Sequence, residues 1–172
     1  MIHVHRYKKP AAGEVYKFCP CGKRKKVVQL REQRRAMKRK AEALWREFAH
    51  TRDGSGCQIK KHYPELNLHH TDQMQVDHFF PRADKNLYFD PSNSTVLCSA
   101  CNYLKSNGSP QSVQILMAVK EIVFRREGEK KFYEMCDVNN RRQPNRDWDR
   151  EYYLEEIIKN LQIRISDLGE KI

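Results

Sequence analysis

The sequence contains no apolar run near the roughly 18 residues that mark a membrane helix, and no signal-peptide pattern at its N-terminus. A chain without these features is not expected to enter a bilayer or to be exported. We therefore expect a cytoplasmic protein that makes no membrane contact. Internal repeats are also absent, which excludes solenoid and propeller architectures.

Acidic residues are scarce relative to basic ones. The 172 residues include 22 Asp and Glu against 33 Lys and Arg, which gives a formal net charge of +11. Such an excess indicates a polyanionic partner, because neutralised phosphates release their condensed counterions. The alternatives are charge that only maintains solubility, or attraction to an anionic membrane. The hydrophobic fraction of 39% favours a small core with long exposed helices.

Six cysteines in a chain without a secretory signal argue for metal thiolates or buried thiols rather than disulfides. Cys19 and Cys21 resemble the start of a small zinc knuckle. Tetrahedral zinc needs four ligands, however, and no second pair lies nearby, so the alternative is a flexible basic arm with two thiols. Cys136 lies among apolar residues and is expected to be a small core residue.

Composition and periodicity divide the chain into four segments. Proline and glycine predict an irregular basic arm over residues 1–26. Apolar steps of three, four and seven predict a basic amphipathic helix within 27–56. Residues 57–108 contain alternating strand patterns and a short helix, and 109–172 contain amphipathic helices. The apolar stripes of these last helices are either core or the surface of a homodimer.

The predicted basic helix carries six cations within ten residues. A charged helix face is often only solvated. Six cations so close together on one helix nevertheless favour contact with the DNA backbone. The candidate DNA-binding residues are Arg31, Arg34, Arg35, Lys38 and Arg39, with Arg82 from the later loop.

Residues 76–107 supply the groups needed to hydrolyse a phosphodiester. The reaction needs a base to activate water, a divalent cation to neutralise charge on the phosphate, and cationic groups to hold the backbone. His78 is the candidate base, and Asp77 and Asn102 are the candidate ligands of the cation. Lys105 is the candidate catalytic cation that holds the phosphate.

Asp77-His78, Asn93 and the run Cys98-Ser-Ala-Cys101-Asn102-Tyr-Leu-Lys105 resemble the HNH (ββα-metal) nuclease motif. The resemblance implies an α+β fold with a ββα-metal core flanked by N- and C-terminal helices. It makes His78 the general base, and Asp77 and Asn102 the ligands of Mg²⁺ or Mn²⁺. It also implies that Asn93 pins the loop between the strands and orients the base.

The order of basic helix, motif and helical tail is similar to that of phage NinG/Rap recombination endonucleases. This likeness implies branched recombination intermediates of DNA as the substrate. Two alternatives remain open. One is an HNH nuclease of the homing or restriction type that cuts linear duplex at a fixed sequence. The other is a zinc-containing DNA-binding module without catalysis.

Cys98 and Cys101 have the spacing of half a structural zinc site. NinG/Rap proteins usually supply the other half with a second Cys-x-x-Cys that begins at the position of Cys57. Lys60 occupies the place of its second cysteine here, and His62 offers the nearest replacement. The predicted zinc ligands are therefore Cys57, His62, Cys98 and Cys101. The alternative is that the two downstream thiols only pack under the helix, as small apolar residues do.

His69 and His70 are expected at the surface or in contact with phosphate.

Overall fold

The computed structural model describes residues 16–18, 24–81, 87–141 and 151–170. Within these ranges the chain is mostly helical with small antiparallel sheets, which is compatible with the predicted α+β class. Cys19, Cys21 and Arg82, for which the sequence suggested metal or DNA contacts, lie outside the described residues.

Four strands and six helices are described. In chain order they are β1 (Tyr16–Phe18), β2 (Arg24–Lys26), α1 (Val27–Asp53), α2 (Gln58–His62), β3 (Met74–His78), β4 (Ser94–Cys98), α3 (Ser99–Ser106), α4 (Pro110–Glu127), α5 (Glu129–Asn140) and α6 (Glu151–Gly169). The antiparallel pairing of β1 with β2 corrects the expectation that the whole arm before α1 is irregular.

Helix α1 forms where the apolar stripe predicted it, and a glycine follows its last residue. Gly54 has φ +81°, a left-handed conformation that other residues adopt at a cost. Its N–H donates to the carbonyl of His50 at 2.8 Å and closes the last turn. The chain then turns back, so that α2 begins four residues later at Gln58.

Strands β3 and β4 form an antiparallel pair in which Met74 faces Cys98 and His78 faces Ser94. Every residue of β4 is buried. Because side chains alternate along a strand, Val96 packs toward α1 and α6 whereas Leu97 packs into the cluster formed with α2, α4 and α5. The strand pair therefore lies between two layers of helices.

The layer of α1 and α6 accounts for the stripe predicted in the last helix. Leu154, Ile158 and Leu161 are buried in one cluster with Trp45 and Phe48 of α1. Full burial of side chains of this size stabilises a fold by about 1.5–3 kcal/mol each. The stripe of α6 is thus part of the core.

Helix α4 buries a different set of residues from the one its sequence suggested. Ile122 and Val123 are buried, but Val113 and Met117 are 63% and 58% exposed. The predicted stripe combined residues from two faces of the helix. The buried face instead repeats at steps of three and four from Ile115.

Two half-buried arginines tie the turn before β4 to the helices. Arg52 donates to the carbonyl of Pro91 at 2.8 Å, and Arg126 donates to that of Ser92 at 2.9 Å. Both arginines also pair with Asp53, at 2.6 and 3.5 Å. Burial lowers the pKa of Arg126. This turn is consequently held by charged hydrogen bonds from α1 and α4.

Candidate functional site

A ladder of polar side chains joins β3 to α3. Gln75 and Asp77 lie on one face of β3, and Asn102 and Lys105 lie on one face of α3 because they are three residues apart. The Asn102 amide donates to Gln75 Oε1 at 2.6 Å. The Lys105 ammonium contacts the Asp77 carboxylate and donates to the carbonyl of His78 at 2.8 Å. Two predicted metal ligands and the predicted phosphate contact therefore share one surface.

The ion pair in this ladder is partly withdrawn from water. The side chains of Lys105 and Asp77 are 11% and 17% exposed. A carboxylate in such surroundings needs a cation beside it, because burying an isolated charge is costly. Lys105 supplies this cation in the protein alone. Together with the Asn102 amide oxygen, the Asp77 carboxylate offers the hard oxygen donors that suit Mg²⁺ or Mn²⁺.

His78 ends β3 and turns to the opposite face from Asp77. Its ring stacks on Trp45 with centroids 4.2 Å apart and an interplanar angle of 17°. The ring also meets the Tyr88 ring at 5.2 Å, and Nε2 lies 2.9 Å from the Tyr88 carbonyl. A carbonyl oxygen only accepts, so Nε2 donates here. In the neutral ring Nδ1 is therefore the nitrogen that can take a proton.

Asn93 holds both ends of the loop between the strands. Its side chain is fully buried, and Oδ1 accepts from the N–H of Phe80 at 2.6 Å. Its Nδ2 donates to the carbonyls of Leu87 at 3.0 Å and Phe80 at 3.3 Å. Leu87 immediately precedes Tyr88, whose carbonyl meets His78. The Asn93 amide thus fixes the segment that contacts the imidazole.

A second group of side chains could hold a metal such as zinc. Its four ligand atoms, from Cys57, His70, Cys98 and Cys101, all lie within 4.8 Å of one another. His70 Nδ1 is 3.5 Å from the Cys98 sulfur and 3.4 Å from the Cys101 sulfur. The three cysteines are buried. Three thiols and one imidazole match the ligand types and the number of a closed tetrahedral zinc site.

Local structure explains how these ligands converge. Cys98 ends β4 and precedes α3, where its sulfur accepts the Cys101 N–H at 3.5 Å. Cys57 lies just before α2 and packs in the same core cluster as Cys98 and Cys101. His70 is brought in by an irregular segment, which is held beside α3 by a 2.7 Å hydrogen bond between Thr71 and Ser99.

The thiols influence each other strongly. A hydrogen bond with Cys101 lowers the pKa of the Cys57 thiol to about 4. The same hydrogen bond raises the pKa of Cys101, with burial and the nearby Cys57 charge acting in the same direction. One thiolate is therefore favoured and the Cys101 thiol resists ionisation. A bound cation would compensate the additional negative charge.

The structure does not bring His62 into this group, and it places His70 beside the cysteines, where sequence analysis expected a residue at the surface or against phosphate. His62 ends α2 with its side chain exposed, whereas His70 is half-buried against the cysteines. Helix α2 occupies the residues after Cys57, and its last residue, His62, is exposed to solvent. His69 is exposed as expected.

The cations predicted to bind DNA occupy two environments on α1. Arg31, Arg35 and Arg39 are exposed, whereas Arg34 and Lys38 are half-buried. Lys38 Nζ lies 5.4 Å from the centre of the Tyr88 ring and 3.8 Å from the Glu42 carboxylate. The Tyr88 hydroxyl in turn donates to Glu42 at 2.8 Å. The basic helix is therefore in direct contact with the segment beside His78.

Sequence reasoning expected the aromatic segment with Tyr88 to pack under the metal site, but it missed Trp45, the aromatic residue that stacks on His78. Trp45 lies four residues after Ala41 and three before Phe48, so it belongs to the apolar stripe of α1. That periodicity could have identified it as a residue facing the sheet, although not the residue that it meets there.

No family model, no curated protein and no solved structure matched the chain when it was compared with each in turn. Within the described ranges, none of the helices combines the length and the apolar character required to span a membrane.

Proposed function

We propose that this chain is a metal-dependent endonuclease of the HNH type that hydrolyses phosphodiester bonds in DNA. The observation that carries the proposal is the polar ladder between β3 and α3, which gathers Asp77, Asn102 and Lys105 on one surface. His78 follows Asp77 on the same strand, and Asn93 secures the loop beside it. These are the residues that the motif resemblance assigns to the reaction.

Each side chain has a distinct task in the proposed reaction. Asp77 and Asn102 would hold a divalent cation through oxygen atoms, and the chemistry it would supply there is neutralisation of charge developing on the phosphate. His78 would take a proton from water at Nδ1, while the Tyr88 carbonyl fixes Nε2. Nδ1 is buried in the protein alone, so this step requires water to reach the ring when DNA binds. Lys105 balances the Asp77 carboxylate in the protein alone and would contact the phosphate when DNA is bound.

The sulfur-rich group of Cys57, His70, Cys98 and Cys101 has a structural task. These four side chains would hold a zinc ion, and their ligation would join the segment before α2 to the start of α3. Helix α3 carries Asn102 and Lys105, so ligation by Cys98 and Cys101 would also hold the helical side of the polar ladder in place. Soft thiolate ligands at one site and hard oxygen ligands at the other keep the two metals distinct.

Branched DNA is the proposed substrate, in line with the likeness to NinG/Rap endonucleases. The net charge of +11 and the exposed arginines of α1 support a polyanion of this kind. A second copy of the chain could pair with the first on a symmetric junction. Cleavage of a linear duplex at a fixed sequence would instead indicate an enzyme of the homing or restriction type.

The test is cleavage of a panel of linear, flapped, three-way and four-way DNA molecules, with Mg²⁺ and with EDTA. We expect Mg²⁺-dependent cutting, strongest on the branched molecules, and loss of cutting in Asp77→Ala. The matched control is Asp72→Ala, which removes an exposed carboxylate from the same part of the chain and should cut normally. Binding of DNA without cutting of any panel member would contradict the nuclease and favour a DNA-binding module.

A further inference from the structure

We infer that Trp45 is a positioning residue for the His78 imidazole, so that helix α1 sets the geometry of the reaction as well as binding DNA. The inference rests on the proposed function of His78. It starts from the parallel stack of the two rings, at 4.2 Å and 17°. Trp45 lies on α1, far before the strand that carries His78 in the chain.

The indole is itself held in one orientation. Trp45 is 4% exposed and packs in the cluster that joins α1 and α6 to the strands. Its only polar donor, Nε1–H, reaches the carbonyl of Asp90 at 3.2 Å. This hydrogen bond prevents rotation of the indole about its attachment to the helix. It also ties α1 to the segment containing Tyr88.

The stack and the hydrogen bond of His78 restrict different motions of its ring. The hydrogen bond from Nε2 to the Tyr88 carbonyl selects one of the two flipped orientations, but a single hydrogen bond allows the ring to tilt out of plane. The Trp45 face prevents that tilt but cannot distinguish the two flips. Both contacts are therefore needed to hold Nδ1 at one position, which the broad torsion of a histidine ring does not ensure.

Trp45 should influence the chemical step and not the affinity for DNA. It is buried, so its side chain offers no surface to a phosphate. Displacement of a catalytic group by about 1 Å can cost on the order of 100-fold in rate. We therefore expect removal of the aromatic ring to lower kcat and to leave KM and the Kd for DNA nearly unchanged.

The experiment compares Trp45→Met, which fills space without a ring, with Trp45→Phe, which keeps a ring. Phe48→Met is the matched control, because Phe48 is a buried aromatic residue of the same cluster one turn later on α1. Both methionine variants should lose stability in urea. Only Trp45→Met should lose kcat, by about 10- to 100-fold, and Trp45→Phe should recover most of it.

Proton NMR of the histidine rings supplies an independent readout. The His78 signals are identified by their absence in His78→Asn, and stacking on the indole should shift them upfield. That shift should remain in Phe48→Met, decrease in Trp45→Phe and disappear in Trp45→Met. If Trp45→Met does not fold, the upfield shift of the His78 signals tests the same inference, because it should be smaller in Trp45→Phe than in the wild type and in Phe48→Met.

Two results would overturn the inference. An equal kcat for Trp45→Met and Phe48→Met, with His78→Asn inactive, would show that Trp45 is only a core residue and would leave the proposed nuclease intact. Full cleavage by His78→Asn would remove the base from the reaction, and the positioning role of Trp45 would be removed with it.

Discussion

Asn93 illustrates how a single buried amide organises a site. The hydrogen bonds of its side chain go to the main chain of Phe80 and Leu87, on the two sides of the loop that joins β3 to β4. A hydrophobic residue of similar size would leave these main-chain groups buried and unsatisfied. The asparagine is therefore required for the loop to close beside His78.

We predict that Asn93→Ala lowers the free energy of unfolding by about 1–3 kcal/mol per main-chain group left unsatisfied. The measurement is urea denaturation followed by circular dichroism. Asn160→Ala, an exposed substitution on α6, is the control and should change stability by less than about 0.5 kcal/mol. Equal stability of the two variants would contradict the pinning role of Asn93.

The regular elements near the site could be predicted from the sequence because their patterns are local. Alternation predicted strand β3, and the apolar stripe predicted α1 up to the glycine turn that ends it. The Asp77-His78 pair and the run from Cys98 to Lys105 each lie within one or two adjacent elements. Local spacing was therefore enough to define each group, whereas the expectation that the two groups meet came from the motif resemblance.

Contacts between distant segments could not be predicted in the same way. Residues 63–73 have no periodic pattern, so nothing in their order indicates that this segment returns His70 to the cysteines. The short distance in sequence from Cys57 favoured His62, but α2 directs that residue to solvent. Trp45 was missed for a related reason, since its partner His78 is on a different element.

The identity of the histidine ligand leads to a prediction at the level of these elements. Purified protein should contain about one zinc ion at the sulfur-rich site. His70→Ala should lose zinc and unfold at a lower temperature, because structural metal binding contributes directly to folding free energy. His62→Ala should keep both zinc and thermal stability. Metal analysis by mass spectrometry and a thermal melt check these outcomes.

Two results would contradict this assignment. Loss of zinc in His62→Ala but not in His70→Ala would restore the ligand set expected from the sequence. Wild-type protein without zinc, after purification free of chelators, would show that the cysteines only pack.

At the scale of the whole molecule, the strand pair lies between two helical layers that contribute different functions. The layer of α1 and α6 carries the exposed arginines and the ring that stacks on His78. The layer that includes α2 and α3 carries the sulfur-rich site and the Asn102 and Lys105 side chains. The proposed base, His78, faces the first layer and the proposed metal ligand Asp77 faces the second, so the two side chains lie on opposite faces of strand β3.

We predict that Arg31, Arg35 and Arg39 of the exposed α1 face contact DNA phosphates. Changing all three to Gln should weaken binding to every DNA shape and reduce the log-log salt slope by about 0.9 for each phosphate that is no longer neutralised. The control changes three exposed lysines outside α1, Lys120, Lys130 and Lys159, to Gln with the same change in net charge. Binding isotherms over a range of salt concentrations supply the slopes.

An equal reduction of the slope in both triple variants would mean that the net charge acts without a defined surface. A changed preference among DNA shapes at a constant slope would mean that α1 reads the geometry of a junction.

The most direct test of the whole account is the single-turnover cleavage rate of His78→Asn on the DNA that the wild-type protein cuts best, measured together with the Kd for that DNA. Loss of a general base should lower the rate by about two to four orders of magnitude. The Kd should remain close to that of the wild type, because His78 is buried and contributes little to backbone binding. Cleavage by His78→Asn at the wild-type rate would contradict the proposed mechanism.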